Sequence, residues 1–155
     1  MSSSPVTPPV QNPLTALFPI KAEAVDGLRE QLINSALNPA GLDAVGTVHF
    51  ARIFVFQPDN QAGVPSNIAA VITSYDGDFA AYIQNFVDQP GTAAFFDAFL
   101  MAVDDPAAEG LIPVTKNATA FAALVEKYDV TNPANSWGQW YSAYPKLTVQ
   151  NILHP

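Results

Sequence analysis

His49 is the one histidine of this chain inside a stretch that reads as regular structure, and Arg52 and Tyr75 stand close to it in the expected strand pairing. Imidazole exchanges protons near neutral pH and ligates iron, so His49 is a candidate general base or haem ligand. The competing reading is a hydrogen-bonded core histidine. In a regular strand His49 shares a face with Ala51, Ile53 and Val55, whereas Arg52 shares the opposite face with Phe50, Phe54 and Phe56. The two converge on one ligand only if a bulge intervenes. Symmetric pairing with Phe56 opposite Ile68 sets Arg52 against Ile72 and His49 against Tyr75, which makes Tyr75 the expected partner of the imidazole.

Arg52 among three phenylalanines requires a carboxylate, a ligand anion or water, because an unpaired buried charge is costly. Asp76 and Asp78 are the carboxylates expected to anchor it. Asp76-Gly77-Asp78 otherwise reads as a turn followed by a helix cap, and two carboxylates do not make a metal site. Trp137, Trp140, Tyr141 and Tyr144 form an aromatic cluster suited to stacking a ligand or filling an interface, with core packing as the alternative. The chain lacks G-x-S-x-G, P-loop, G-x-G-x-x-G and H-E-x-x-H motifs, which removes the usual signatures of hydrolases, kinases and dinucleotide enzymes.

The scaffold around these groups is read from periodicity. Leu14–Ile20 is a first strand. Val25, Leu28, Leu32 and Ala36 recur at helical spacing, and Asn38-Pro39 is expected to end that helix. Thr47–Phe56 is rich in β-branched and aromatic residues and reads as a strand, residues 57–67 as a loop, and Ile68–Tyr75 as its hairpin partner. Asp78 caps a helix with Phe79, Tyr82, Ile83 and Phe86 inward, which Pro90-Gly91 breaks. Thr92 is expected to cap the next, carrying Phe95, Phe96, Phe99, Leu100 and Val103. Residues 104–112 read as a surface loop. Asn117 or Thr119 starts a further helix with Phe121, Leu124, Val125 and Tyr128 on one face. Aromatic content and Gly138 favour a strand over residues 136–145, and Thr148 caps a last short helix to Leu153.

A chain of 155 residues supports one core. Only 13% of its residues are charged against 49% apolar, so part of its surface is expected to be covered by another subunit or a ligand. Fourteen acidic and six scattered basic side chains give a net charge of −8, which disfavours nucleic acid and anionic membranes. With no cysteine, disulfides and thiolate chemistry are excluded. No leader-like start or long apolar run is present, and a cytoplasmic location is the default expectation. Residues 1–13 are too polar and proline-rich to bury much surface and read as a disordered tail before a single domain spanning 14–155.

Val48-His49-Phe50-Ala51-Arg52, Thr73-Ser74-Tyr75-Asp76-Gly77-Asp78 and Trp140-Tyr141-Ser142-Ala143-Tyr144-Pro145 together resemble the segments of a family of small bacterial α+β proteins similar to dimeric α/β-barrel domains. The resemblance covers about residues 13–153 and implies a ferredoxin-like split βαβ arrangement: an antiparallel sheet with helices on one face and extra C-terminal helices. It implies a homo-oligomer, and the wider class includes cofactor-independent monooxygenases and haem-binding proteins. Three functions are then expected. The leading one is a domain that encloses a small apolar or aromatic ligand, with His49, Arg52 and Tyr75 as polar anchors and Arg52, Trp137, Trp140, Tyr141 and Tyr144 binding it. The second is an oxidoreductase with His49 and Tyr75 catalytic, with haem as the candidate cofactor. The third is a structural module without ligand.

Overall fold

A computed structural model describes residues 10–34, 39–136 and 138–155. Strand β1 (Gln11–Pro19) leads through a 3-10 turn into α1 (Val25–Asn34), then α2 (Pro39–Val45) and β2 (Val48–Val55). A loop returns the chain in β3 (Ile68–Asp76), followed by α3 (Phe79–Val87), α4 (Pro90–Ala102), α5 (Ala118–Tyr128) and α6 (Val149–Leu153). The fold is α+β.

The sheet order is β1-β3-β2, and β3 is antiparallel to both neighbours. β1 and β2 therefore run parallel to each other, joined by the crossover through α1 and α2. Leu14, Ala16 and Phe18 of β1 and Ala69, Val71, Thr73 and Tyr75 of β3 are buried on the helix side, and the central strand β3 also buries Ala70, Ser74 and Asp76 of its other face. Tyr82, Ile83, Phe86, Phe96, Phe99, Phe121, Leu124 and Val125 close over them from α3, α4 and α5. Phe99 meets Phe18 edge-on at 5.1 Å, and Tyr75 stacks on Tyr82 at 4.0 Å. Each fully buried side chain of this size stabilises the fold by about 1.5–3 kcal/mol.

Several expectations are corrected. The first strand begins at Gln11, so residues 11–13 belong to the sheet; residues 1–9 lie outside the described residues. Pro13 is tolerated because β1 is an edge strand, where a missing N–H can face outward. Pro39 opens α2 instead of ending the preceding structure, since a proline fits the first helical position as well as it breaks an interior. Pro90 does the same for α4, whose N-cap is Gln89 and not Thr92. Residues 104–112 include a 3-10 turn, Glu109–Leu111, and the fully buried Ala108.

The expected fourth strand does not form: of residues 136–145, those described carry no strand. The outer edge of β1 is met instead by the ends of two helices. Ala16 bridges to Asp129 beyond α5 and Ile20 bridges to Val103 beyond α4. Val130 N–H donates to Thr15 O and Asp104 N–H to Pro19 O, each at 2.8 Å. Those bonds satisfy edge groups that a fourth strand would otherwise have used.

Candidate functional site

Gly46 carries the chain from α2 into β2 with φ +72°, a left-handed conformation that glycine adopts without strain. The ladder with β3 then holds the expected register from Phe50↔Ser74 through Arg52↔Ile72 to Val55↔Ala69. At the start of β2 it slips: Val48 pairs with Tyr75, and His49 is the extra residue of a bulge. Bulges re-aim side chains at sheet edges, and this one acts on an edge strand.

The re-aimed ring does not meet Tyr75. His49 Nε2 lies 2.7 Å from Asp76 Oδ1, and Asp76 Oδ2 accepts from Val149 N–H at 2.7 Å. Both side chains of the pair are largely buried, at 13% and 8% exposure. A carboxylate that accepts on both oxygens requires the ring proton on Nε2 and leaves the Nδ1 lone pair of the neutral ring available. Tyr75 points to the opposite face, where burial first and then the charges of Asp129, Asp78 and Glu126 push its hydroxyl up to about 12. Burial also pushes Tyr82 up, partly offset by its 2.8 Å hydrogen bond to Thr73 Oγ1.

His49 forms part of the wall of a cleft of about 530 Å³ at the outer edge of β2. Its wall also includes Leu42, Asp43 and Gly46, then Val48, Phe50 and Ala51 of β2, and Val149, Gln150 and Leu153 of α6. α6 is opened by a capping box between Thr148 and Asn151 and tied down by Gln150 Nε2 donating to Gly46 O at 3.0 Å. The approach to α6 is strapped to the sheet by Gln11. Its Nε2 donates to the carbonyls of Tyr144 and Leu147, both at 2.8 Å, and its Oε1 accepts from Ser142 Oγ at 2.7 Å. The three segments singled out in the sequence thus meet at one end of the sheet.

Comparison with family models, with curated proteins and with solved structures returns no match. The site rests on its own geometry.

Arg52 is exposed on the open face of the sheet, with its guanidinium 4.6 Å above the Phe54 ring, and forms no ion pair among the described residues. The expected anchors are otherwise engaged: Asp76 holds His49 and Val149, and Asp78 caps α3 by accepting from Ala81 N–H at 3.1 Å. Trp140, Tyr141 and Tyr144 are exposed at 39%, 86% and 63%. None of these three, nor Arg52 or Tyr75, lines the cleft, and Trp137 lies outside the described residues. Between sheet and helices the free space is about 30 Å³ among Phe86, Phe96, Phe121 and their neighbours. That is room for one or two waters by volume, far below the size of a usual ligand pocket. His49 does not fit a haem ligand, because Nε2, the less crowded nitrogen, is held by Asp76. Among the described residues no group of three or more metal-ligating side chains occurs, and no helix is long and apolar enough to cross a membrane.

Sequence reasoning missed Gln11, Asp43, Asp76 as the imidazole's partner, and Gln150. Asp76 alone carried a signal, since it adjoins Tyr75 and a bulge at His49 gives Tyr75 to Val48 instead.

Proposed function

We propose that this chain is a small-molecule-binding protein whose ligand occupies the cleft between α2, β2 and α6, against the His49–Asp76 pair. The β1-β3-β2 order supports reading the domain as the split βαβ half of a ferredoxin-like fold whose fourth strand is replaced by helix ends. The observation that carries the binding reading is the bulge. It breaks the ladder at the one position that directs a histidine to a buried carboxylate beside a cleft of about 530 Å³. That volume falls in the usual range for small-ligand sites, roughly 300–1,000 Å³, and its walls combine apolar surface with few polar groups. Nδ1 of His49 serves as the hydrogen-bond or proton acceptor for the ligand, with Asp76 fixing the tautomer.

The test is an NMR titration with a panel of fluorinated aromatic and aliphatic fragments. Shifts confined to His49, Phe50, Val149 and Leu153, and lost in His49→Ala while the fold persists, are expected. Fragments that perturb only other parts of the chain, or none of it, overturn the reading.

The open face of the sheet supports a second copy of the chain as partner. Leu17, Ala70 and Phe54 stand in one row across it, and Thr15, Ile72 and Arg52 in the next. Phe50 on the same face is 56% exposed, and Arg52 is the one charged side chain among these. A foreign partner of opposite charge has a single cation to meet there, whereas two apolar faces of this kind complement each other. Light scattering at tens of micromolar is expected to give twice the chain mass of 16.5 kDa; a species of the chain mass removes the dimer.

A further inference from the structure

We propose that the cleft selects a small hydrophobic ammonium ion, an alkyl or aryl amine, over neutral and anionic molecules of the same shape. The inference rests on the binding reading above and adds the ligand's charge class. Among the described residues, the cleft wall contains no lysine or arginine. It does contain Asp43, exposed on α2 and without an ion-pair partner among the described residues. Arg52, the cation nearest along β2, leans over Phe54, its neighbour on the side away from Phe50. Phe50 contributes an exposed aromatic ring to the cleft, and such a face attracts a cation. Leu42, Val48, Val149 and Leu153 supply apolar surface for the body of the ligand.

The remaining polar groups also favour a donor. With Nε2–H given to Asp76, the neutral His49 ring keeps Nδ1 as an acceptor, and an ammonium group donates in three directions without accepting. A carboxylate or phosphate in this position would face Asp43 with no lysine or arginine in the described lining to offset it. The chain's net charge of −8 adds a general field of the same sign. Asp76 is not the counterion, because both of its oxygens are already hydrogen-bonded within the protein.

Benzylamine, benzyl alcohol and benzoate share a ring and differ in charge, so titration of the full chain with each, followed by NMR at His49, Phe50 and Leu153, separates the classes. Benzylamine is expected to bind about tenfold more tightly than benzyl alcohol, with benzoate weakest, and added salt to shrink the difference. Asp43→Asn is expected to bring the ratio of amine to alcohol affinity close to one; Asp43 is an exposed helix position, and circular dichroism checks that the variant folds. Equal binding of amine and alcohol, stronger binding of benzoate, or a preference that survives Asp43→Asn overturns the charge class and leaves the cleft as a binding site. Failure of all three probes to perturb the cleft residues overturns both.

Discussion

The imidazole of His49 and the carboxylate of Asp76 meet at 2.7 Å across a register slip, and the second oxygen of that carboxylate takes the first N–H of α6. One buried side chain thereby joins the β2 bulge to the C-terminal helix. Long-range ¹⁵N correlation is expected to place the proton of the neutral ring on Nε2. Asp76→Ala leaves two donors without their acceptor and is expected to destabilise the protein by about 2–4 kcal/mol in urea unfolding. A ring proton on Nδ1, or an alanine variant as stable as the parent, contradicts this arrangement.

Gln11 is buried and makes three hydrogen bonds to the segment from Ser142 to Leu147. That segment carries a single aromatic side chain, Tyr144, and it is exposed, as is Leu147, so polar contacts rather than burial hold it in place. Gln11→Ala is expected to cost about 1–3 kcal/mol and to open residues 138–148 to limited proteolysis before the core unfolds. Unchanged cleavage of the variant would show that the strap is held elsewhere.

Asp105 links stability to acid. Hydrogen bonds from Lys127, then Tyr128 and then the Ala107 N–H hold its carboxyl at about 2, below the ordinary 3.8. A depressed folded-state value means that the unfolded chain binds the proton more readily. The contribution is therefore fully present above about pH 4 and lost as pH falls toward 2. Asp105→Asn is expected to flatten the fall in melting temperature across that interval; an acid limb of unchanged steepness would assign it to other carboxylates.

Phe99 is 1% exposed and packs edge-on against Phe18 and stacked against Phe95. Phe99→Ala opens a cavity at the junction of α4 and β1 and is expected to cost about 3–5 kcal/mol. A loss below about 1 kcal/mol in denaturant titration would mean that the surrounding rings collapse into the space.

Residue periodicity was enough to place β2, β3, α3, α5 and α6, because their patterns are local: a run of Val, Ile and Phe at period two, a capping Asp78, a capping Thr148. The Arg52↔Ile72 register was legible from pairing the two strands symmetrically about their loop, with Phe56 opposite Ile68. Pro39 and Pro90 were ambiguous, because a proline marks a helix start and a helix end with the same residue, and only the packing of the next segment chooses. Residues 136–145 looked like a strand by composition. Tertiary structure gave β1's outer edge, the place of a fourth strand, to the ends of α4 and α5. His49 stood out as chemistry in the sequence, yet its partner was decided by one extra residue in a ladder, which costs little locally and turns the ring from Tyr75 to Asp76. Asp43 and Gln150 became part of the site only when the chain closed, because 107 positions separate them in the sequence and neither carries a local pattern that points to the other.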